Sequence, residues 1–262
     1  MNYAVIFAGG TGTRMNTKTK PKQFLTLHNK EIIIYTLEHF ENHPEIDGIS
    51  VVCIEGWIDY LKKLIEKYQL KKVKWITPGG KTGQESIYNG LNAMRGQIEE
   101  DSIVLIHDGV RPLINEELIS ENIKVAKEKG NAITVVEATE TVMMVNEKNE
   151  LTQSVERKKC RFARAPQTYI YGQLLAAHDH AREENINSYI DSATLMQAEG
   201  YKLFPVMGKP ENIDSCSMMS YYGYKLGTII GPMENIKITT PSDFYTFRAI
   251  VEAEENSQIL GF

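Results

Sequence analysis

The sequence predicts an α/β protein with a mostly parallel sheet and helices on both faces. Short apolar runs alternate with segments of helical periodicity over roughly the first 140 residues, the pattern of successive βαβ units. The runs are continuous rather than alternating, as in strands covered on both faces. Glycine-rich or acidic residues directly follow two of these runs. Because ligands bind beyond the carboxyl ends of such strands, these residues are candidates for a site.

The individual elements follow from apolar runs and from helical spacing. The candidate strands are Tyr3–Ala8, Gly48–Ile54, Val73–Ile76, Ser102–Ile106 and Ala132–Glu137. The candidate helices between them are Ile32–Phe40, Trp57–Tyr68, Gln84–Met94 and Glu116–Lys129. Right-handed crossovers are expected between consecutive parallel strands.

The alternation of predicted strands and helices breaks off over residues 138–165. Glu140–Val145 and Leu151–Val155 flank a polar turn, which predicts a two-stranded excursion from the main sheet. Helices are predicted again at Gln173–Glu183 and Asp191–Glu199, and a strand at Lys202–Val206. Without a linker or a low-complexity stretch, residues 1–262 are predicted to form a single domain with a projecting arm at about 138–160.

Composition excludes several classes of protein. The 262 residues are 42% hydrophobic and 24% charged with a net charge of −5, as in a globular protein that does not bind nucleic acid. No apolar run approaches the roughly 20 residues of a membrane span, and the N-terminus lacks signal-peptide features. The cysteines at 53, 160 and 216 lack metal-ligand spacing. A cytoplasmic protein with neither nucleic acid nor membrane as a partner is expected.

A glycine-rich segment, Gly9-Gly10-Thr11-Gly12-Thr13, follows the first strand. Such a loop either makes a tight turn or lets backbone N–H groups approach an anion. It lacks the Lys-Ser/Thr ending of a Walker loop, and Met15 stands where a dinucleotide fingerprint has its third glycine. Arg14 and Lys22 follow closely, which favours a triphosphate ligand.

Two further positions have both a structural and a functional interpretation. Asp108 follows a predicted strand, where it would either cap a turn or hold Mg²⁺ against phosphates. Lys237, in Asn235-Ile-Lys237, would by itself be a surface lysine on a strand. His107 is interpreted as a packed histidine, since no second His or Cys lies at ligand spacing.

Several blocks together resemble the polyol-phosphate cytidylyltransferases, over nearly the whole chain. They are Ala8-Gly-Gly-Thr-Gly-Thr-Arg-Met15, Pro21-Lys-Gln23, Gly79-Gly80 with Ser86, His107-Asp-Gly-Val-Arg-Pro112, Ala165-Pro-Gln167, Asp191-Ser-Ala193 and Asn235-Ile-Lys-Ile-Thr-Thr-Pro241. The family's members act on 2-C-methyl-D-erythritol 4-phosphate in isoprenoid synthesis or on D-ribitol 5-phosphate in teichoic-acid and capsule synthesis. The resemblance implies a Rossmann-like fold of the nucleotide-diphospho-sugar transferase type.

The resemblance also implies roles for individual residues. The residues implied in CTP binding are Ala8, Gly9, Gly10, Thr11, Gly12, Thr13, Gly79, Gly80, Ser86 and Arg111. Arg14, Lys22 and Lys237 would be catalytic, and Asp108 would bind the cofactor Mg²⁺. Thr141, Arg157 and Arg164 would bind the polyol phosphate. In the implied homodimer, the arm would deliver Thr141 and Arg157 to the neighbouring subunit.

The sequence departs from the family pattern at three places. Gly83 stands where the family usually has an arginine, and Ala165, preceded by Arg164, stands where it usually has a threonine. About 23 residues, 209–231, are inserted before the Asn-Ile-Lys block. They would form an interaction surface, a lid or a packed loop.

The implied reaction is an in-line attack of a polyol-phosphate oxygen on the α-phosphorus of CTP, which releases pyrophosphate. Positioning and electrostatic stabilisation suffice for this step, consistent with a sequence that shows no Ser/His/Asp or Cys/His arrangement. D-ribitol 5-phosphate is the favoured acceptor, and 2-C-methyl-D-erythritol 4-phosphate is the alternative. A dehydrogenase and a catalytically silent nucleotide-binding relative are the competing hypotheses of other classes.

Overall fold

The computed structural model describes residues 1–10, 15, 20–183 and 227–260. Its strands are β1 (Asn2–Ala8), β2 (Thr26–Leu27), β3 (Lys30–Glu31), β4 (Gly48–Cys53), β5 (Val73–Pro78), β6 (Ile103–Asp108), β7 (Asn131–Glu137), β8 (Val142–Val145), β9 (Leu151–Val155), β10 (Arg161–Ile170) and β11 (Gly227–Ile230). A seven-stranded sheet has the order β11-β7-β10-β6-β1-β4-β5. Only β10 runs antiparallel to its neighbours in that sheet.

Helices cover both faces of the sheet. They are α1 (Ile32–Asn42), α2 (Ile58–Lys67), α3 (Gly83–Asn92), α4 (Glu116–Lys129), α5 (Tyr171–Glu183) and α6 (Pro241–Leu260). Helices α1, α2 and α4 pack on one face, and α3 and α5 on the other. Short 3₁₀ turns occur at Lys22–Phe24, Glu55–Trp57 and Arg157–Lys159. No helix within the described ranges is long and apolar enough to span a membrane.

Strand β1 shows why the apolar runs are continuous. Ala4 and Ile6 point into the cluster formed with α1, α2 and α4, whereas Tyr3 and Val5 point into the cluster formed with α3 and α5. Successive side chains of a strand face opposite sides, so a strand covered on both faces has no polar side. The predicted fold class is confirmed.

The predicted elements before residue 138 are all present, with ends shifted by a few residues at most. Helix α4 begins and ends as predicted. The Asn115 carboxamide caps its N-terminus by accepting from the Leu118 amide at 2.9 Å. Gly130 follows its C-terminus at φ 86°, a conformation that glycine adopts without strain.

Among the strands and helices, β2, β3, β10, β11 and α6 were not predicted. Strand β10 pairs with β6 and β7 across a register shift between Ala163 and Gln167. Pro166 within it breaks the sequence signal for an interior strand, because proline has no amide to donate to a ladder. Helix α6 has only a weakly amphipathic sequence, and we had assigned no element to residues 241–260.

The end of the predicted insert takes part in the main sheet. Gly227–Ile230 form edge strand β11, parallel to β7 with Ile230 opposite Val135. This part of the insert is therefore neither a lid nor a packed loop. The helix predicted at 191–199, the strand predicted at 202–206, and residues 209–226 lie outside the described residues.

The predicted excursion is a β-hairpin formed by β8 and β9. Within the described residues these strands pair only with each other, as a separate two-stranded sheet. Met143, Met144, Val145 and Leu151 on this hairpin are 52%, 41%, 52% and 68% exposed. Large apolar side chains exposed together are typical of an interaction surface.

Candidate active site

The carboxyl ends of β1 and β5 touch through two glycines. A Cβ atom added to Gly79 would lie 2.8 Å from the Gly9 Cα, and one added to Gly9 would lie 2.9 Å from the Gly79 Cα. The Gly79 amide donates to the Cys53 carbonyl at 2.7 Å, which ties this turn to the end of β4. Glycine is needed at both positions because the two backbones approach so closely.

Ser86 joins this turn to the start of α3. Its hydroxyl accepts from the Gly80 amide at 3.0 Å and donates to the Thr82 carbonyl at 2.9 Å. Thr82 in turn caps α3 by accepting from the Glu85 amide at 3.1 Å. The structure therefore brings Gly79, Gly80 and Ser86 together beside Gly9, and Gly83 is the first residue of α3.

Asp108, at the carboxyl end of β6, is the centre of a buried ion-pair cluster. Its Oδ1 lies 2.5 Å from the Lys237 Nζ, and its Oδ2 accepts from the Arg111 Nε at 2.7 Å. The side chains of Asp108 and Arg111 are only 7% and 8% exposed, whereas that of Lys237 is 37% exposed. Lys237 is therefore the member of the cluster that faces the open side.

The pKa of Asp108 lies well below its ordinary value. Burial alone would raise the pKa, but the charges of Lys237 and Arg111, and the hydrogen bonds from both, outweigh burial. The carboxylate is therefore ionised at neutral pH. Asp108 therefore pairs with two cationic side chains, which a turn cap would not require.

Asn235 is a buried residue to which we had assigned no role. Its side-chain Nδ2 donates to the Ala165 carbonyl at 2.7 Å, and its backbone carbonyl accepts from the Arg111 Nη1 at 3.0 Å. These bonds connect the segment that contains Lys237 to β10 and to the turn after β6. The Arg111 Nε and Nη1 thus both bind within the protein, and the contact of Arg111 with CTP stays a prediction.

Lys22 and Gln23, in the 3₁₀ turn Lys22–Phe24, contact the segment that contains Lys237 and the turn after β1. The Lys22 Nζ donates to the Ile238 carbonyl at 3.0 Å, next to Lys237. The side-chain Nε2 of Gln23 donates to the Ala8 carbonyl at 2.5 Å and lies 3.3 Å from the Gly10 carbonyl. Gln23, 1% exposed, thus supports the turn after β1, a role that the Pro21-Lys-Gln23 block alone did not specify.

Arg164 enters the site from the amino-terminal half of β10. Because β10 is antiparallel, this half lies beside the carboxyl end of β6, with Gln167 opposite Ile106. Arg164 is half-buried, and its Nε has no hydrogen-bond partner within the part of the chain that the structure describes. Burial and the nearby charge of Arg111 both lower the pKa of Arg164. An anion placed beside it would relieve both effects.

Thr141 and Arg157 lie on the hairpin, just before β8 and just after β9. Both are exposed, and the Arg157 Nη1 donates to the Thr139 carbonyl at 3.0 Å. Within the described residues, neither forms a hydrogen bond or an ion pair with the Asp108 cluster. The structure of one chain therefore does not bring them to the site.

His107 is a packed histidine, as interpreted from the sequence. Its ring lies 5.2 Å from that of Phe40, and burial lowers its pKa to about 3. Across the part of the chain that the structure describes, no three His, Cys, Asp or Glu side chains group as a metal site. Thr11, Gly12, Thr13 and Arg14 lie outside the described residues.

Comparisons with known proteins agree on one family. A family model described as 2-C-methyl-D-erythritol 4-phosphate cytidylyltransferase matches residues 2–215. A ribitol-5-phosphate cytidylyltransferase of Vibrio parahaemolyticus is 47% identical over 261 residues, and one of Streptococcus agalactiae is 46% identical, each match covering all of both chains. A 2-C-methyl-D-erythritol 4-phosphate cytidylyltransferase of Clostridium acetobutylicum is 35% identical over 81% of this chain and 91% of its own.

Solved structures share the fold. The 4-diphosphocytidyl-2C-methyl-D-erythritol synthase of Anaerococcus prevotii superposes with a TM-score of 0.75 at 23% identity, covering 96% of both chains. The 2-C-methyl-D-erythritol 4-phosphate cytidylyltransferase of Francisella tularensis gives a TM-score of 0.69 at 26% identity, covering 94% of this chain and 99% of that one. Since the family model spans most of the chain and similar relatives match it throughout, the chain belongs to the polyol-phosphate cytidylyltransferase family.

Proposed function

We propose that this enzyme transfers the cytidylyl group of CTP to D-ribitol 5-phosphate, giving CDP-ribitol and pyrophosphate. The observation that carries the proposal is the cluster at the carboxyl edge of the sheet, where Lys237 and Arg111 hold an ionised Asp108. The acceptor is inferred from relatives named ribitol-5-phosphate cytidylyltransferase, which are 46–47% identical over the whole chain. Relatives named for methylerythritol phosphate are more distant.

The chemical step joins two anions, so the enzyme's main task is to offset their repulsion. An oxygen of the acceptor phosphate forms a bond to the α-phosphorus of CTP, and the bond from that phosphorus to the leaving pyrophosphate breaks. A phosphate monoester dianion is already nucleophilic, so no general base is needed. The Lys22 Nζ donates to the Ile238 carbonyl, next to Lys237 in the chain, so the two lysines would supply positive charge where negative charge builds up.

The turns after β1 and β5 are suited to hold CTP. Gly9 and Gly79 expose backbone at the edge where the strands end, and Ser86 fixes the Gly80 amide. A slot walled by backbone is narrow, which favours cytosine over a purine. Arg14 would bind the triphosphate from the loop that follows Gly10.

Mg²⁺ is the proposed cofactor, and Asp108 is the residue that would hold it. An ionised carboxylate is a suitable ligand, because Mg²⁺ commonly takes one or two carboxylates and completes its shell with phosphates and water. In the described structure the Lys237 Nζ lies beside Oδ1 of this carboxylate, whose remaining lone pairs would be available to the ion. When bound, the ion would neutralise charge on the phosphates.

The acceptor phosphate is assigned to Arg164 within the subunit and to Thr141 and Arg157 of a second copy. Arg164 lies beside Arg111, and no described residue accepts a hydrogen bond from its Nε, so an anion there would be stabilised. It would replace the threonine contact that Ala165 lacks. The exposed apolar side chains of the hairpin support a homodimer in which each arm reaches its neighbour.

The deciding experiment compares kcat/KM for a panel of polyol phosphates with CTP and Mg²⁺. D-Ribitol 5-phosphate is expected to exceed methylerythritol phosphate by about 10-fold or more, since each hydroxyl left unpaired costs roughly 1–3 kcal/mol. A preference for methylerythritol phosphate would overturn the acceptor. CTP binding without turnover of any acceptor would indicate a silent relative. Equal pyrophosphate release from ATP, or in EDTA, would contradict the nucleotide and metal assignments.

A matched pair of variants tests the assignment of Arg164. Arg164→Gln is expected to raise the KM for the polyol phosphate and to leave the KM for CTP unchanged. Arg161→Gln changes an exposed arginine of the same strand and should alter neither constant. Equal effects of the two variants would remove Arg164 from the acceptor site.

A further inference from the structure

Lys237 belongs to a segment without regular secondary structure, residues 235–239, between β11 and α6. Its ammonium nevertheless lies 2.5 Å from a buried carboxylate oxygen of Asp108. A lysine side chain is long and has many rotamers, so the position of its charge depends on how firmly its backbone is held. The contacts that hold this backbone are therefore relevant to the reaction.

The segment is attached on both sides of Lys237. On the N-terminal side, Asn235 is bonded to Ala165 and to Arg111. Directly after Lys237, the Ile238 amide donates to the Val110 carbonyl at 2.9 Å. From Thr239 onward the attachment differs, because one carboxylate oxygen takes the place of backbone pairing.

That oxygen is Oδ2 of Asp243, in the first turn of α6. It accepts from the Thr239 amide at 2.8 Å, the Thr239 hydroxyl at 2.8 Å and the Thr240 amide at 2.7 Å. The Asp243 amide lies 3.4 Å from the Thr240 hydroxyl, which completes a reciprocal capping arrangement. The two bonds to Thr239 go beyond what helix capping requires, because Thr239 precedes the cap residue.

We infer that Asp243 is a positioning residue for Lys237. Its carboxylate accepts two hydrogen bonds from Thr239, which is two residues after Lys237 in the chain. These bonds fix the backbone from which the Lys237 ammonium reaches the reacting phosphates. This inference rests on the proposed role of Lys237 in phosphate binding. It adds a residue of α6, to which neither the motifs nor the resemblance gave a part in the reaction.

The chemistry of the contact supports a firm attachment. Hydrogen bonds to an ionised carboxylate are about twice as strong as those between neutral groups. Burial would raise the pKa of Asp243, but the bonds from Thr239 and Thr240 lower it below its ordinary value. The carboxylate thus stays charged near neutral pH, and it also lies at a helix N-terminus, where negative charge is favoured.

The test begins with Asp243→Ala and a matched control. Asp243→Ala is expected to lower kcat by between about 10-fold and 100-fold, the scale for a catalytic group displaced by about 1 Å. The control is Asn115→Ala, which removes the same kind of cap from α4. Both variants should lower the Tm by a few degrees, but Asn115→Ala should leave kcat unchanged.

A double variant separates positioning from a purely structural role. If Asp243 acts through Lys237, adding Asp243→Ala to Lys237→Ala should lower kcat no further. Asp243→Asn keeps an acceptor oxygen and should recover part of the activity, and it also serves as the test variant if Asp243→Ala does not fold.

Multiplicative losses in the double variant, or an equal loss of kcat in Asn115→Ala, would overturn the inference and leave the proposed function standing. A Lys237→Ala variant with wild-type kcat would contradict the proposed function itself, and this inference with it.

Discussion

Gly79 shows how a single residue can decide the shape of the site. Its Cα hydrogens face the Gly9 backbone, and an added methyl group would lie 2.8 Å from the Gly9 Cα. No side chain can move aside there, because the obstacle is the backbone itself. The turn after β1, which leads into the glycine-rich loop, would have to shift instead.

We therefore expect Gly79→Ala to raise the KM for CTP and to lower the free energy of unfolding by roughly 1–3 kcal/mol, the usual cost of overpacking. CTP kinetics and urea denaturation measure the two effects. Gly56→Ala is the control, since an added Cβ there meets nothing within 4 Å. Unchanged CTP kinetics in Gly79→Ala would show that the nucleotide does not use this turn.

The lysines of the site give a second prediction at this scale. Lys22→Ala and Lys237→Ala should each lower kcat by about 10²–10³, the scale for removing one electrostatic contact in the transition state. Lys124→Ala, which changes an exposed lysine of α4, should have wild-type kinetics. Near wild-type rates in both site variants would show that the site is elsewhere.

Asp108→Asn is a less clean test than the lysine variants. Its carboxylate is also the ion-pair partner of Arg111, which is only 8% exposed. Removing one charge of a buried pair leaves the other uncompensated, which is strongly destabilising. We expect this variant to lose both stability and activity, so its rate should be read beside its thermal unfolding.

The β8–β9 hairpin poses the main question at the scale of elements. It pairs with no other strand of the described chain, and Met143 and Leu151 on it are 52% and 68% exposed. Arg157 at its base is exposed as well. A second subunit that covers this surface would account for both observations.

Hybrid dimers test this arrangement. A 1:1 mixture of Lys22→Ala and Arg157→Ala subunits should recover about a quarter of wild-type activity, because half of randomly formed two-fold dimers contain one intact site. Activity of the mixture is compared with that of each variant alone, and sedimentation reports the oligomeric state. A monomer that retains activity would rule out shared sites.

At the scale of the whole molecule, buried histidines link stability to pH, with the largest pKa shifts at His107 and His178. His178 on α5 is 1% exposed, neither of its ring nitrogens has a hydrogen-bond partner among the described residues, and burial lowers its pKa to about 3. Burial has the same effect on His107. The unfolded chain binds these protons near pH 6.5, whereas the folded chain does not.

The free energy of unfolding should therefore contain the full contribution of these histidines above pH 6.5, and that contribution should fall as the pH drops toward 3. Each histidine contributes at most about 1.4 kcal/mol per pH unit in that window. His178→Leu should flatten the dependence measured by urea unfolding between pH 7.5 and 5. His180→Gln changes an exposed histidine of the same helix and should preserve it. An unchanged slope in His178→Leu would contradict this account.

The sequence determined the fold class and most of the elements. Continuous apolar runs such as Tyr3–Ala8 indicate strands covered on both faces, and that signal is local. The blocks at Gly9 and Asp108 each follow a strand, so the sequence also predicted that they lie at one edge of the sheet, because the carboxyl ends of parallel strands share one edge.

Only the tertiary structure decided how those residues meet. Strand β10 escaped prediction because Pro166 interrupts its pattern, yet its antiparallel course brings Arg164 to the site. Asn235 and Asp243 gain their roles from partners on other elements or in the adjoining segment, and neither spacing nor periodicity encodes such bonds. Local sequence specifies which faces are buried, whereas the partners of a polar side chain depend on which distant segments the packing brings beside it.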